Sequence, residues 1–251
     1  MDANTSGKVR SAVRIVLRLL IAVVIVVIVL AIAVWRAPLW VTGKLTELQL
    51  LRAGILSRSM VVNGYHVHYM EGGRGQPVVL IHGLGSQAQQ DWSALAPRLV
   101  SAGYHVYAMD LLGFGRSARP ADHTYSIPEQ AKFVEAFLDA NHLDSVVLSG
   151  VSMGGWIATE VALEQPQRVN RLILFDSAGM AFHLSFDAAL FSPQTSEQVD
   201  QLMTLVTPDP ISMPEFLKRD FIRRSKRDAW VVQRALGSMM AGHDYEDARF
   251  S

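Results

Sequence analysis

The 251-residue chain contains no cysteine. That absence excludes disulfides, thiolate metal sites, a cysteine nucleophile and a lipid-modified cysteine anchor. Net charge is absent too, since 23 Lys and Arg balance 23 Asp and Glu. No basic footprint for a nucleic-acid partner follows from that balance. Acidic residues are nearly missing from the first 18 positions, where Asp2 stands alone against Lys8, Arg10, Arg14 and Arg18. No cluster with metal-ligand spacing is evident. His66 and His68 alternate with apolar neighbours and read as solvent-facing strand positions. No metal or organic cofactor is implied.

Beyond the basic stretch, Leu19 to Trp35 is an uninterrupted apolar run rich in Val and Ile. As a helix it would extend ~25 Å, near the short end of membrane-crossing lengths. Basic residues before it predict a cytoplasmic N-terminus, with the rest of the chain on the periplasmic or extracellular side. A cleaved signal peptide competes, because Ala31-Ile32-Ala33 has the small-residue pattern of a cleavage site. Signal h-regions are shorter, about 7–15 residues, so the run favours an uncleaved anchor. Pro38 to Arg58 spaces Leu45, Leu48, Leu51, Ile55 and Leu56 roughly as a helix does, which suggests an amphipathic connector.

Chemistry gathers around Ser145 to Gly155, an apolar run leading into Gly150-Val-Ser152-Met-Gly154 and then a helix-compatible segment. A serine on a tight strand-to-helix turn projects its hydroxyl into a cleft, and flanking glycines give the backbone room. Two further strand-like runs end in glycine-bearing loops: Val78 to Ile81 before His82-Gly83-Leu84-Gly85, and Val106 to Met109 before Asp110-Leu-Leu-Gly-Phe-Gly-Arg-Ser117. Three such units describe an open α/β sheet whose loops collect at the carboxyl edge, where such sheets bind ligands. Asn63-Gly64 between strand-like runs predicts a hairpin. Trp92 to Leu99 reads as a helix ended by Gly103. Ser126 and Glu129 read as the capped start of another helix, ended at Asn141-His142.

Together the three motifs resemble the α/β-hydrolase family, in particular its esterases, lipases and related C–C or acyl hydrolases with a helical cap. The resemblance implies an α/β-hydrolase fold with a mostly parallel, doubly wound sheet, preceded here by one transmembrane helix. It implies Ser152 as nucleophile, with Leu84 and Met153 N–H groups as the oxyanion hole. His82 would be structural beside that loop, and Asp110 a loop-organising carboxylate. Expected segments are a basic N-terminus 1–18, an anchor 19–35, a connector 36–58, a core 59–179 and a cap 180–251. Cap sequence includes Phe182, Leu184, Phe186, Leu190 and Phe191, then helical stretches Val199 to Val206, Pro214 to Ile222 and Asp228 to Met240.

A serine hydroxyl needs an adjacent base that a carboxylate orients. Family order places both after the nucleophile. Asp176, at the end of the apolar run Leu172 to Phe175, is one candidate acid. His243 in Gly242-His243 imitates the expected base motif, yet it follows a helical stretch. No strand-like run comes after Asp176, so the expectation is a chain that stops in or just after the cap and lacks hydrolase activity by itself. The substrate would be a small-molecule ester or lipid. C–C bond hydrolysis, acyl transfer or a non-catalytic binding protein on the same fold are the alternatives.

Overall fold

Residues 3–180, 187–207 and 212–240 are described by the computed structural model. A 34-residue helix α1 (Ala3–Arg36) leads through Ala37 into α2 (Pro38–Arg52). Proline at the first turn of α2 costs no hydrogen bond, because that N–H would be unsatisfied in any case. Within α1, Val13–Arg36 is long and apolar enough to cross a membrane, with a mean hydropathy of 3.4 and none of it buried. The connector expected to continue helically to residue 58 ends at Arg52. From Ile55 the chain is already strand.

Six strands form one sheet: β1 (Ile55–Val62), β2 (Tyr65–Gly73), β3 (Pro77–Ile81), β4 (His105–Met109), β5 (Val146–Val151) and β6 (Val169–Phe175). Their spatial order is β1-β2-β4-β3-β5-β6. The β1–β2 hairpin turns at Asn63 and Gly64, both at positive φ, and β2 joins β4 antiparallel. The remaining neighbours are parallel, so the sheet is mixed. Helices α3 (Ala88–Trp92), α4 (Ala96–Ser101), α5 (Ile127–Ala140) and α6 (Met153–Glu164) connect the strands. The helix expected over Trp92 to Leu99 is two short helices broken at residues 93–95.

Strands buried on both faces need no polar alternation. Val79, Ile81, Tyr107, Met109 and Leu148 face a core completed by α5 and α6. Val78, Leu80, Val106, Ala108 and Val147 face a second core closed by Leu50 of α2 and by Trp92 and Ala96. This covering also corrects the reading of His68. It is buried at 5% exposure, and only His66 is exposed. In a sheet covered on both sides, alternation marks two cores and not core against solvent.

Beyond β6 comes the cap: a 3₁₀ turn Ala188–Phe191, α7 (Ser196–Val206) and one continuous 26-residue α8 (Glu215–Met240). Val231, Val232, Ala235 and Met239 of α8 join the main core. Phe182, Leu184 and Phe186 lie outside the described residues. Ile173, Leu174 and Phe175 on edge strand β6 are exposed by 44%, 44% and 42%.

Phe137 is fully buried between α5 and the sheet. Phe137→Ala should therefore cost about 3–5 kcal/mol. Leu174→Ser on the exposed edge should cost less than about 1 kcal/mol. Urea unfolding of the detergent-solubilised chain checks both.

Candidate active site

Ser152 stands between β5 and α6 at φ +53° and ψ −123°, a conformation that side chains rarely adopt. The neighbours leave no alternative. A Cβ on Gly150 would overlap the Gly154 carbonyl, and one on Gly154 would lie 2.5 Å from the Ile81 and His82 carbonyl oxygens. Glycine at both positions therefore lets the end of β5, the start of α6 and the end of β3 meet. Backbone bonds hold the turn: Ser152 N–H donates to the Phe175 carbonyl at 3.0 Å, and Ala178 N–H donates to the Ser152 carbonyl at 3.1 Å.

The loop after β3 lies against this turn, since a Cβ on Gly83 would be 3.4 Å from the Ser152 Cβ. Gly85 takes φ +70°. Leu84 N–H has no hydrogen-bond acceptor among the described residues, and Met153 N–H opens α6, where no intrahelical acceptor exists. Two unspent donors and a helix N-terminus beside one hydroxyl form an arrangement that can hold an oxyanion. Sequence reasoning missed the residue that fixes this loop. Asp91 accepts Gly83 N–H at 2.9 Å and the Ser86 hydroxyl at 2.5 Å. Its only signal was an acid a few residues past His-Gly-x-Gly.

His82 is fully buried with both ring nitrogens engaged. Leu111 N–H donates to Nε2 at 3.0 Å, so Nδ1 carries the proton and donates to the Gly83 carbonyl at 2.8 Å. Asp110, 1% exposed, organises the neighbouring loop. Its carboxylate accepts Ala88 N–H, Arg116 N–H and the His68 imidazole at 2.7–2.8 Å. Burial alone would raise this carboxyl. The His68 hydrogen bond, the His82 and His68 imidazoles and the Arg116 amide outweigh it and hold Asp110 below the usual carboxylate range. His68 Nε2 in turn meets the Ser57 hydroxyl at 2.7 Å.

Asp176 ends β6 at φ +43°, exposed, and its carboxylate has no hydrogen bond or ion pair among the described residues. His243 lies outside the described residues, as does His183. No described histidine bonds to Ser152: His105 pairs with Glu71, and His123 with Glu129 and Tyr65. Nor do the described residues include a group of three or more His, Asp and Glu able to hold a metal ion. A cavity of about 460 Å³ opens between α2 and β1, lined by residues such as Lys44, Leu48, Ser57 and Arg116, and its lining includes neither Ser152 nor Leu84.

Residues 76–236 match the family model described as alpha/beta hydrolase fold. The chain belongs to the α/β-hydrolase fold family. It is 36% identical over 132 residues to the 2-hydroxymuconate semialdehyde hydrolase of Pseudomonas sp. (strain CF600), covering 52% of this chain and 46% of that protein. It is 34% identical over 142 residues to Lipase 1 of Psychrobacter immobilis, covering 55% of this chain and 44% of that lipase. The chain thus spans about half the length of the curated relatives it matches. A bacterial membrane phospholipase A superposes with a TM-score of 0.67 at 27% identity, covering 92% of this chain and 75% of that structure.

Two expected outcomes follow from the packing. Gly150→Ala should prevent the turn from closing and lower the unfolding midpoint sharply. Asp110, whose folded pKa is depressed, contributes stability that is present above its ordinary value of 3.8 and lost as pH falls through the folded value. Asp110→Asn should cost about 1–3 kcal/mol near neutral pH, because an amide offers one acceptor oxygen in place of two and leaves a buried donor among Ala88, Arg116 and His68 unmatched. The variant should also lose the acid limb of the stability curve. Urea titrations between pH 7 and pH 3 read both effects.

Proposed function

We propose that the protein is a membrane-anchored serine hydrolase that cleaves carboxylic esters, lipid esters among them, through an acyl-enzyme. The observation that carries this reading is the constrained turn at Ser152, with the free Leu84 and Met153 amides beside it. Ser152 Oγ attacks the ester carbonyl as its proton passes to a base. The two amides hold the oxyanion, the alcohol leaves with a proton, and water releases the acid. Loss of one oxyanion donor typically costs ~2.7–4 kcal/mol of barrier, which is why two preorganised amides matter.

Anchoring is supported by the unburied apolar helix α1 and the basic residues ahead of it. Superposition on the membrane phospholipase A over 92% of this chain reaches into the same N-terminal region and supports a lipid ester as substrate. Identity to the semialdehyde hydrolase favours a second reading, hydrolysis of a C–C bond next to a carbonyl at the same serine. No described histidine contacts Ser152, so the base in this reading lies outside the described residues.

Side-by-side assays with p-nitrophenyl esters, phospholipids and a ring-fission dienoate separate the two chemistries. Ester turnover that vanishes in Ser152→Ala supports the first reading, and dienoate cleavage without ester cleavage supports the second. Turnover surviving in Ser152→Ala sinks both. If His243→Ala abolishes turnover without unfolding the chain, the base is His243. For the anchor, a reporter fused after Ser251 should be active on the non-cytoplasmic side. Release of the chain from membranes by high salt without detergent contradicts a crossing helix.

A further inference from the structure

The chain is neutral as a whole, but its cap is not neutral along its length. From Lys218 to Asp228, α8 carries Lys218, Arg219, Arg223, Arg224, Lys226 and Arg227 against Asp220 and Asp228 alone. Positions 219, 223, 226 and 227 follow helical spacing on one face, and all four are exposed. Arg223 and Arg227 expose 61% and 65% of their side chains. Neither Arg219 nor Lys226 has an acidic partner among the described residues. Arg223 pairs with buried Asp220, which also accepts Leu39 N–H at 3.0 Å at the start of α2, and Arg227 pairs with Asp228, so Arg219 and Lys226 are the uncompensated charges of the face.

The stripe is fixed at the end of the apolar helix. Arg223 donates to the Arg36 carbonyl at 2.9 Å, and the Arg219 guanidinium sits 5.8 Å from the Trp35 ring centre. Trp35 and Trp40 are 60% and 56% exposed at the same junction, and Trp230 continues the α8 face at 37%. Exposed tryptophans beside cations at the end of an apolar helix suit the level of lipid headgroups. From Arg223 to Val232 is about 14 Å along the helix. Val232 lies against Gly85, where an added Cβ would be 3.8 Å from its Cγ2. One rigid helix therefore joins the membrane end of α1 to the loop beside Ser152.

We propose that the Arg219, Arg223, Lys226 and Arg227 face of α8 binds the phosphodiester headgroups of anionic phospholipids in the membrane that α1 crosses, holding the cap against the bilayer. The proposal rests on the anchored reading above. Its source of affinity is charge attraction at the surface, which fades within a Debye length of about 8–10 Å. Only a helix docked this close to the membrane end of the chain would feel it.

Because the chain has no cysteine, exposed Gln233→Cys can carry a single fluorophore. The full chain is reconstituted in vesicles of phosphatidylcholine alone or with phosphatidylglycerol at about one part in three, and quenched with neutral acrylamide. The expected result is at least a two-fold lower quenching constant with phosphatidylglycerol, reversed by high salt and absent in Lys226→Glu/Arg227→Glu. Those two residues make no described contact with α1 or α2, so the variant leaves the contacts of Arg219, Asp220 and Arg223 with Trp35, Leu39 and Arg36 intact, and an unchanged melting curve checks this. Equal quenching in both vesicles while α1 still requires detergent for extraction overturns the proposal alone. Shielding that persists in the double variant also overturns it. Extraction of the chain by salt alone removes the anchored reading and the proposal together.

Discussion

The backbone at Ser152 is the constraint on which the rest of the site depends. A residue at φ +53° with a side chain is strained, at a cost of order 1–3 kcal/mol. It persists only because Gly150 and Gly154 let three backbone segments close around it. Parallel pairing supplies the frame. β3, β5 and β6 run side by side, so the loops after His82, before Met153 and after Phe175 meet at one edge. The Phe175 carbonyl and the Ala178 amide then pin the turn from the β6 side.

A second layer of polar residues fixes the loops around that turn. Asp91 spends both carboxylate oxygens on the Gly83 to Ser86 loop. Asp110 spends its own on Ala88, Arg116 and His68. Asp110 is buried and Asp91 half-buried, and removing either carboxylate would leave the donors it gathers without their acceptor. Preorganisation of the proposed oxyanion donors thus depends on residues that touch no substrate.

Local backbone logic was readable in the sequence. Gly-x-Ser-x-Gly, Asn63-Gly64 and the Ser126 cap with Glu129 at N3 each demand a particular turn, and each is found there. Long-range pairing was not readable. His68 looked solvent-facing because nothing in a strand's alternation says that both faces are covered, and Asp91 meets Gly83 only after the chain folds back. The sequence reads α8 as two helical stretches because Arg223 to Arg227 interrupts its apolar pattern, although basic residues are good helix formers. The pairing of that basic stretch with Arg36 joins residues far apart in sequence, and no local pattern encodes it.

The central claim is that the strained turn makes Ser152 the reactive nucleophile. Oxyanion donors and binding alone retain measurable reactivity whichever residue serves as base, so the claim can be tested on this polypeptide directly. The measurement is fluorophosphonate modification of the folded chain over hours, with the adduct mapped by mass spectrometry. The account predicts one adduct, on Ser152, lost in Ser152→Ala without a change in the melting curve. An adduct on another serine that survives in Ser152→Ala, or a folded wild-type chain that takes up none, would contradict it.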